Sequence, residues 1–369
     1  MDMVRRDFLI GATALAAASR AVAQGRPRPL GYAIVGLGSY GLGRIIPEFK
    51  NCRHSRLAAV VSGDAAKAQR VAAEHGLDAR SIYSYADFDR IRDNPDVDIV
   101  YVCLPNSMHA EYSIRAARAG KHVLCEKPMA TSVAECEAMI AASKRAGRKL
   151  MIGYRVHFEP TNLEAMRLAR SGAAGRIRYV RSEHGFVQGD PSKWRLKRAL
   201  AGGGSLMDMG IYSLQAARYM TGEEPIAVTA RESTDRNDPR FTEVEDMMDW
   251  TLEFPSGAIA SCQSMYSANQ NHILLMGDKG RIELEPATRY SGNRMWTGDD
   301  GREQEIIIPS SGSGGQFVGQ LDHLSECARS GREPIVAGEE GLRDMRIVEA
   351  IYRSAREGRT IRLAPERRA

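Results

Sequence analysis

Short apolar runs alternate with helical patterns from Leu30 to about Leu150. Each run is short and apolar enough to be buried on both faces, which is typical of strands in a parallel sheet. Gly120 marks the end of one intervening helix. The alternation predicts βαβ units and hence a doubly wound sheet. The predicted strands are Tyr32–Val35, Leu57–Val61, Ile99–Leu104 and His122–Cys125, and the predicted helices are Ala65–His75 and Ser107–Ala119.

Beyond about Tyr154 the apolar positions follow a period of two. This pattern is typical of antiparallel strands with one face toward solvent or a partner. The sequence therefore predicts an α/β protein: an N-terminal Rossmann domain with a doubly wound parallel sheet over residues 31–153, and a C-terminal α+β domain with a large, mostly antiparallel open sheet over residues 154–369. The predicted strands are Ile177–Ser182, Asp246–Phe254, Ala258–Tyr266 and Gly280–Leu284, and helices are predicted over Phe317–Arg329 and Glu339–Arg356.

The first 23 residues have the features of an export signal, and residues 24–30 form a linker. Arg5-Arg6 precedes an apolar run from Leu9 to Ala18, and Ala21-Val22-Ala23 resembles a cleavage site. Twin arginines before a modestly apolar run favour the Tat route, which exports folded proteins, and so predict a periplasmic protein. The run is shorter than the roughly 20 residues that span a bilayer, so no membrane anchor is expected.

Composition narrows the class of protein further. The 369 residues, of which 43% are apolar and 26% charged, are typical of a globular protein of two domains. The formal net charge is only +5 and the charges are interspersed, so we expect a small-molecule substrate and no nucleic acid. The six cysteines include no CxxC motif, which predicts no disulfides. The eight histidines lack the spacing of zinc ligands, so no metal is expected.

A glycine-rich motif, Gly36-Leu37-Gly38-Ser39-Tyr40-Gly41, follows the first strand and begins a helix predicted over Leu42–Phe49. In this context GxGxxG indicates a dinucleotide site. Gly36 permits the tight turn, Gly38 lets the backbone approach a pyrophosphate, and Gly41 lets helix and strand pack closely. The free amides at the helix start would then meet the phosphate charge.

The end of the second strand discriminates between NAD and NADP. An NAD enzyme usually carries an acid there for the ribose 2′-hydroxyl, whereas this chain has Ser62-Gly63. A hydroxyl with Lys67 and Arg70 nearby would bind a 2′-phosphate through charge-assisted hydrogen bonds, so NADP is favoured. Two alternatives stay open: Lys67 and Arg70 are only the solvated face of a helix, or Asp64 serves as a displaced acid.

Two segments carry candidate catalytic residues. Lys127 follows the strand His122–Cys125, at the edge where ligands of parallel sheets bind. Asp208 and Tyr212 are four apart in a predicted helix and so share a face. A tyrosine is too weakly ionised to take a sugar's proton near neutral pH unless a neighbouring ammonium lowers its pKa. We therefore expect Tyr212 to act as general base beside Lys127, with Asp208 orienting the substrate or balancing Lys127. Taken singly, each residue fits a structural role equally well.

Together these segments resemble the Gfo/Idh/MocA family over essentially the whole chain. Trp194-Arg195 and Gly202–Tyr212 are most similar to its glucose-fructose and periplasmic aldose-aldose oxidoreductases. Many relatives with dehydrogenase activity have His where this chain has Tyr212, which points to the same subgroup. The other segments that carry the resemblance are Gly36–Gly41, Leu104–Ala110, Ala119–Pro128, Met151–Arg155 and Ala201–Tyr212.

The resemblance implies an NADP-dependent aldose oxidoreductase whose tightly bound cofactor does not leave between half-reactions. One aldose would be oxidised to its aldonolactone and a second sugar reduced to an alditol. Lys127, Asp208 and Tyr212 carry over as catalytic residues that also bind substrate, together with Arg155. Because little of the family's N-terminal arm is present, we expect a homodimer formed through the open sheet. The cofactor contacts carried over are Ser39, Tyr40, Ser62, Lys67, Tyr85, Leu104, Asn106, His109, Glu126, Lys127, Trp194 and Arg195.

Three other functions stay open. The first is an NAD(P)-dependent sugar dehydrogenase with an exchangeable cofactor, although free NADP is scarce outside the cytoplasm. The second is an exported NAD-dependent glycosidase, against which the missing carboxylate at Ser62 argues. The third is an NADP sensor without catalysis, which the joint presence of Lys127 and Tyr212 disfavours.

Overall fold

The computed structural model describes residues 28–299, 302–309 and 315–364. The predicted export signal and residues 24–27 of the linker therefore lie outside the described residues. The first sheet has the strands β1 (Leu30–Val35), β2 (Ser55–Val61), β3 (Ile82–Tyr83), β4 (Ile99–Val102), β5 (His122–Cys125) and β6 (Leu150–Ile152). They are all parallel in the order β3-β2-β1-β4-β5-β6, which is the Rossmann arrangement.

Helices from both halves of the chain pack around this sheet, so strands such as β1 and β4 are buried on both faces. One of these helices lies late in the sequence: the Tyr32 hydroxyl in β1 donates to the Leu321 carbonyl at 2.7 Å. The helices are α1 (Ala65–Glu74), α2 (His109–Arg118), α3 (Val133–Ala146), α4 (Pro160–Arg170), α5 (Arg198–Ala201), α6 (Ile211–Thr221), α7 (Gly315–Ser330) and α8 (Gly338–Glu357).

The helix predicted after Gly41 differs from the expectation. A π-helical turn covers Gly41–Ile45, and a 3-10 turn covers Ile46–Asn51. Pro47 explains why no regular α-helix forms here, because proline has no backbone N–H and its ring clashes with the preceding turn. The segment is nevertheless helical at Gly41, directly after the glycine-rich turn.

The second sheet is mostly antiparallel, as predicted, with the order β14-β13-β12-β11-β7-β10-β9-β8-β15. Among the described strands of this second sheet, only β7 and β10 pair in parallel. Side chains alternate between buried and partly exposed along β9 and β10, because α6 and α8 pack against one face of the sheet. The strands are β7 (Ile177–Gly185), β8 (Ala227–Ser233), β9 (Met247–Glu253), β10 (Ile259–Met265), β11 (Gln270–Gly277), β12 (Arg281–Leu284), β13 (Met295–Asp299), β14 (Arg302–Ile306) and β15 (Ile361–Arg362).

Two further observations concern the whole described chain. All six cysteines lie within the described residues and are free thiols. Within the same ranges, no helix combines the length and the apolar composition that crossing a membrane requires. Residues from the carboxyl ends of the first sheet's strands and from the start of α6 in the second domain line one common cavity.

Candidate active site

A cavity of about 970 Å³ lies at the carboxyl ends of β1, β4 and β5, and residues of the second domain line its other side. Ligands of doubly wound sheets bind at this edge, and the volume is that of a cofactor or small-molecule site. The predicted site residues that line the cavity are Gly36, Gly38, Ser39, Tyr40, Gly41, Ser62, Lys67, Tyr85, Leu104, Asn106, Glu126, Lys127, Arg155, Trp194, Arg195, Asp208 and Tyr212.

The glycine-rich turn leaves room that side chains would fill. A Cβ at Gly36, where φ is +96°, would lie 2.4 Å from the Cys103 carbonyl oxygen, so this position requires glycine. A Cβ at Gly41 would lie 2.7 Å from the Gly36 carbonyl oxygen. Gly38 faces open space instead, with no atom within 4 Å of the position of a Cβ. This backbone therefore fits a dinucleotide whose phosphates approach at Gly38.

The acidic residue that follows β2, Asp64, is the N-cap of helix α1. Asp64 precedes α1, and its carboxylate accepts from the backbone N–H of Lys67 at 2.9 Å. The Lys67 ammonium lies 3.9 Å from the same carboxylate, and the Ser62 hydroxyl accepts from the backbone N–H of Asp64 at 3.1 Å. Ser62 and Lys67 line the cavity, whereas Arg70 does not. The polar groups available at this end are thus a hydroxyl, an ammonium and a capping carboxylate.

His109 is the one predicted cofactor contact that does not line the cavity. Its side chain is fully buried, and its two ring nitrogens lie 2.8 Å from the Pro128 carbonyl oxygen and 2.9 Å from that of Leu104. Burial lowers the pKa of His109. The imidazole therefore lies between the two segments that carry Leu104 and Lys127 and donates to one of their carbonyl oxygens.

Lys127 and Asp208 form an ion pair across the two domains. The Lys127 ammonium donates to the Asp208 carboxylate at 2.9 Å and to its backbone carbonyl at 2.6 Å. The other carboxylate oxygen accepts from Arg195 Nε at 2.8 Å and from the Tyr266 hydroxyl at 3.1 Å. Burial alone would raise the pKa of Asp208, but the charges of Lys127 and Arg195 outweigh it and hold that pKa well below its usual range. The carboxylate is therefore ionised and fixes the ammonium.

Tyr212 meets this pair in the first turn of α6. The Lys127 ammonium lies 4.9 Å from the centre of the Tyr212 ring, and Cζ of Arg155 lies 5.0 Å from it. The structure thus brings together, from both domains, the amine and the phenol that the sequence singles out. Asp208 lies in a π-helical turn, Leu206–Gly210, that runs directly into α6.

The glycine run before Asp208 is packed against a buried acid. A Cβ at Gly203 would lie 2.0 Å from the Tyr352 hydroxyl, so a larger residue would displace that tyrosine. Glu245, only 1% exposed, accepts from the backbone N–H of Gly204 at 2.8 Å and of Leu206 at 3.1 Å. Burial raises the pKa of Glu245. This carboxyl therefore holds the turn that presents Asp208 and Tyr212.

Several cavity residues were not found from the sequence. They lie on strands and loops of the second domain, where no motif marks them, and they become neighbours only through the order of the sheet. The missed lining residues are Phe186, Gln188, Lys193, Met209, Asn271, Thr288, Arg289 and Tyr290.

Potential metal ligands meet on the sheet at one place in the described chain. Atoms of His272, Glu283 and Glu285 that are able to bind metal lie within 4.8 Å of one another. The sequence spacing did not show this grouping, because β11 and β12 bring the residues together. Glu283 already accepts from His272 at 2.9 Å and pairs with Arg281 at 3.3 Å. None of these residues lines the cavity.

Comparison with known proteins decides the family. Residues 30–154 match the model of an oxidoreductase family with an NAD-binding Rossmann fold, and residues 168–363 match the C-terminal alpha/beta domain of the same family. The chain belongs to the Gfo/Idh/MocA family. The resemblance that the motifs indicated is therefore confirmed, and the cavity lies at the glycine-rich turn of the family's dinucleotide-binding domain.

Individual relatives within the Gfo/Idh/MocA family match nearly the whole chain. The crystal structure of aldose-aldose oxidoreductase from Caulobacter crescentus complexed with glycerol is 59% identical, with a TM-score of 0.89, and the match covers 91% of this chain and 100% of that one. D-xylose 1-dehydrogenase [NADP(+)] of Haloarcula marismortui is 29% identical over 91% of this chain and 93% of its own. D-xylose 1-dehydrogenase (NADP(+)) 2 of Haloferax volcanii is 30% identical over 90% of this chain and 99% of its own.

Proposed function

We propose that this protein is an NADP-dependent aldose oxidoreductase that keeps its cofactor bound while one sugar is oxidised to an aldonolactone and a second is reduced to an alditol. The observation that carries the proposal is the meeting of Lys127, Asp208 and Tyr212 at one end of the cavity whose other end is the glycine-rich turn. The 59% identity to a protein described as an aldose-aldose oxidoreductase supports the choice of substrate class.

The residues at this end of the cavity suit the removal of a hydrogen from a carbinol. When bound, NADP supplies the nicotinamide that accepts and returns hydride. The Tyr212 phenolate takes the hydroxyl proton as the C–H bond of the sugar breaks and its carbonyl forms. Lys127, held by Asp208, donates a hydrogen bond to the reacting oxygen. In the second half-reaction, Tyr212 returns its proton to the oxygen of the sugar that gains hydride, so protons and electrons balance over the cycle.

The ribose end supports NADP over NAD. The Asp64 carboxylate is engaged as the cap of α1 and lies next to Lys67. Lys67 and the Ser62 hydroxyl face the cavity and would hold a 2′-phosphate by charge-assisted hydrogen bonds. A ribose without the phosphate would leave the Lys67 ammonium with Asp64 as its only anionic partner among the described residues. The same reasoning disfavours the NAD-dependent glycosidase.

Contacts between the domains support slow release of the cofactor. Cζ of Arg44, just after the glycine-rich turn, lies 4.8 Å from the centre of the Tyr290 ring in the second domain. Tyr290 also packs edge-on against Phe317, with ring centres 5.4 Å apart. Gln316 donates to the Tyr290 carbonyl oxygen at 2.7 Å and so fixes the loop. On this proposal, a bound dinucleotide leaves only after the contacts of Tyr290 with Arg44 and Phe317 break.

The composition of the purified protein tests the proposal. Protein purified without added cofactor and then denatured should release about one NADP per chain. Mixed with glucose or xylose alone, it should give lactone and alditol in equal amounts. A chain that is purified without cofactor, and turns over only when NADP is added, would instead be the second candidate, a dehydrogenase with exchangeable cofactor. The matches to two NADP-dependent D-xylose 1-dehydrogenases favour that candidate.

The proposed function includes export and a dimer. Periplasmic location follows from the twin-arginine leader and is tested by cell fractionation, with Lys-Lys in place of Arg5-Arg6 expected to retain the protein in the cytoplasm. The dimer would use the open face of the second sheet, where Tyr179 pairs with both Ile259 and Met276 in one row. Ile259 and Met276 are 45% and 44% exposed. Analytical ultracentrifugation should show two chains.

A further inference from the structure

Among the described residues, Arg155 is a buried cation without an acidic partner. It lies in a 3-10 turn, Arg155–Phe158, directly after β6, and is 6% exposed. Its terminal nitrogens donate to the Gln316 side-chain oxygen and to the Thr288 carbonyl oxygen, each at 2.6 Å. Both acceptors are neutral, and among the described residues no carboxylate lies within ion-pair distance of this guanidinium. A buried charge that is not compensated is costly, and such charges are concentrated at functional sites.

Two phenol rings enclose this guanidinium. Cζ of Arg155 lies 5.0 Å from the centre of the Tyr212 ring and 4.7 Å from that of Tyr290. The pKa of Arg155 is raised above its ordinary value. Burial acts to lower that pKa, but the neighbouring phenols of Tyr212 and Tyr290 have the larger, opposite effect. The group is thus a permanent cation next to Tyr212. Its Nε is buried and has no hydrogen-bond partner among the described residues.

The two other cations near the base differ from Arg155 in their partners. Lys127 and Arg195 both bind the Asp208 carboxylate, at 2.9 and 2.8 Å, so much of their positive charge is offset. His184, whose ring centre lies 5.7 Å from that of Tyr212, is kept neutral because burial lowers its pKa to about 3. The other titratable groups that act on this part of the site are Tyr40, Tyr290 and Glu126.

We propose that Arg155 is a positioning residue that stabilises the phenolate of Tyr212, and that it does not bind the sugar. The proposal rests on the proposed role of Tyr212 as proton acceptor. The family resemblance places Arg155 near the substrate, but its donors are directed to protein oxygens and its side chain is almost wholly buried. Lys127, paired with Asp208, is left to hydrogen-bond the reacting oxygen. The electrostatic support of Tyr212 therefore comes mainly from Arg155.

The effect of the Arg155 charge on Tyr212 can be calculated from the 5.0 Å between Cζ of Arg155 and the centre of the Tyr212 ring. With an effective dielectric constant near 20, the loss of this charge corresponds to roughly a 10²-fold change in the ionisation equilibrium of a phenol. Arg155→Met should therefore lower the rate of sugar oxidation about 10²-fold near neutral pH, and the loss should shrink as pH rises. Arg155→Lys should restore most of the rate, since it restores the charge.

The test measures single-turnover reduction of bound NADP by an aldose across pH, in wild type, Arg155→Met and Arg155→Lys. Gln316→Glu is a second perturbation that leaves the arginine in place and gives it a carboxylate partner, since the side-chain oxygen lies 2.6 Å from it. It also removes the amide that donates to the Tyr290 carbonyl oxygen, so the NADP content of this variant is compared with that of wild type. We expect Arg155→Met and Gln316→Glu both to need higher pH for the same rate. NADP content and urea unfolding of each variant report on folding without reference to activity.

A coupling measurement separates this proposal from the proposed function. In a Tyr212→Phe background, Arg155→Met should cause little further loss, because the phenolate it supports is absent. Full activity of Tyr212→Phe would remove the role of Tyr212 itself. If Tyr212→Phe is slow but Arg155→Met or Gln316→Glu keeps the wild-type pH profile, the Arg155 proposal is overturned. A raised KM for the sugar with unchanged kcat would also overturn it and assign Arg155 to substrate binding.

Discussion

Replacement of Glu245 by Gln tests whether the buried acid holds the catalytic turn. The carboxyl accepts from the backbone N–H groups of Gly204 and Leu206 and from the Tyr352 hydroxyl at 2.7 Å. In Glu245→Gln, the side-chain oxygen can still accept from one of the two backbone N–H groups. The side-chain NH₂ then faces the other N–H, and two donors are left without an acceptor. The lost hydrogen bond and the unsatisfied donors together cost about 3 kcal/mol of unfolding free energy.

Urea unfolding in saturating NADP measures this cost, with Tyr352→Phe as matched control. The control removes one neutral donor and should cost about 1 kcal/mol. Because the turn carries Asp208 toward Tyr212, Glu245→Gln should also slow sugar oxidation about 10-fold or more while NADP remains bound. An unfolding free energy within about 0.5 kcal/mol of wild type would refute this reasoning.

Three other predictions concern the cavity. Tyr212→Phe should slow sugar oxidation about 10²-fold or more with unchanged NADP content, as measured by single turnover and cofactor release. Ser62→Asp should shift the bound cofactor from NADP toward NAD, because a carboxylate repels the 2′-phosphate; a wild-type NADP preference would contradict the assignment. Asp208→Asn probes the carboxyl whose pKa is lowered by Lys127 and Arg195 against the opposing effect of burial. Such a group adds stability above its ordinary pKa of 3.8, so the stability difference from wild type should hold near neutral pH and shrink as pH falls below about 4.

The sequence predicted the first sheet best. The strand His122–Cys125 has the predicted bounds, since a short apolar run between a glycine and a polar residue leaves little freedom in its placement. The helix predicted over Leu42–Phe49 is instead a π-helical turn followed by a 3-10 turn, because Pro47 interrupts the regular helical hydrogen bonds. Motifs also indicated Lys127 and Tyr212, because each lies in a local segment with its own signature.

The remainder of the site depends on tertiary structure. Tyr290 lines the cavity from a loop of the second domain, and Tyr266 reaches the site only through its hydrogen bond to Asp208. Nothing local in the sequence distinguishes either from a core tyrosine. Glu245 lies before a predicted strand, and the sequence gives no sign of its role. The close packing of Gly204 against the Glu245 backbone shows that this residue supports the glycine-rich turn. For His109, the motif predicts a cofactor contact, and the structure shows its two ring nitrogens next to the carbonyl oxygens of Pro128 and Leu104.

The packing of α7 on the first sheet affects how the chain can be divided or recombined. The Tyr32 hydroxyl bonds to Leu321, and the Ser55 hydroxyl bonds to that of Ser325 at 2.8 Å. Asp322 accepts from the backbone N–H groups of Arg53 and His54. A chimera that exchanges only residues 31–153 with a relative would thus place a foreign sheet against a native helix. Exchanges that also include α7, Gly315–Ser330, keep the contacts between this helix and the first sheet. They should yield more soluble hybrids than exchanges of residues 31–153 alone.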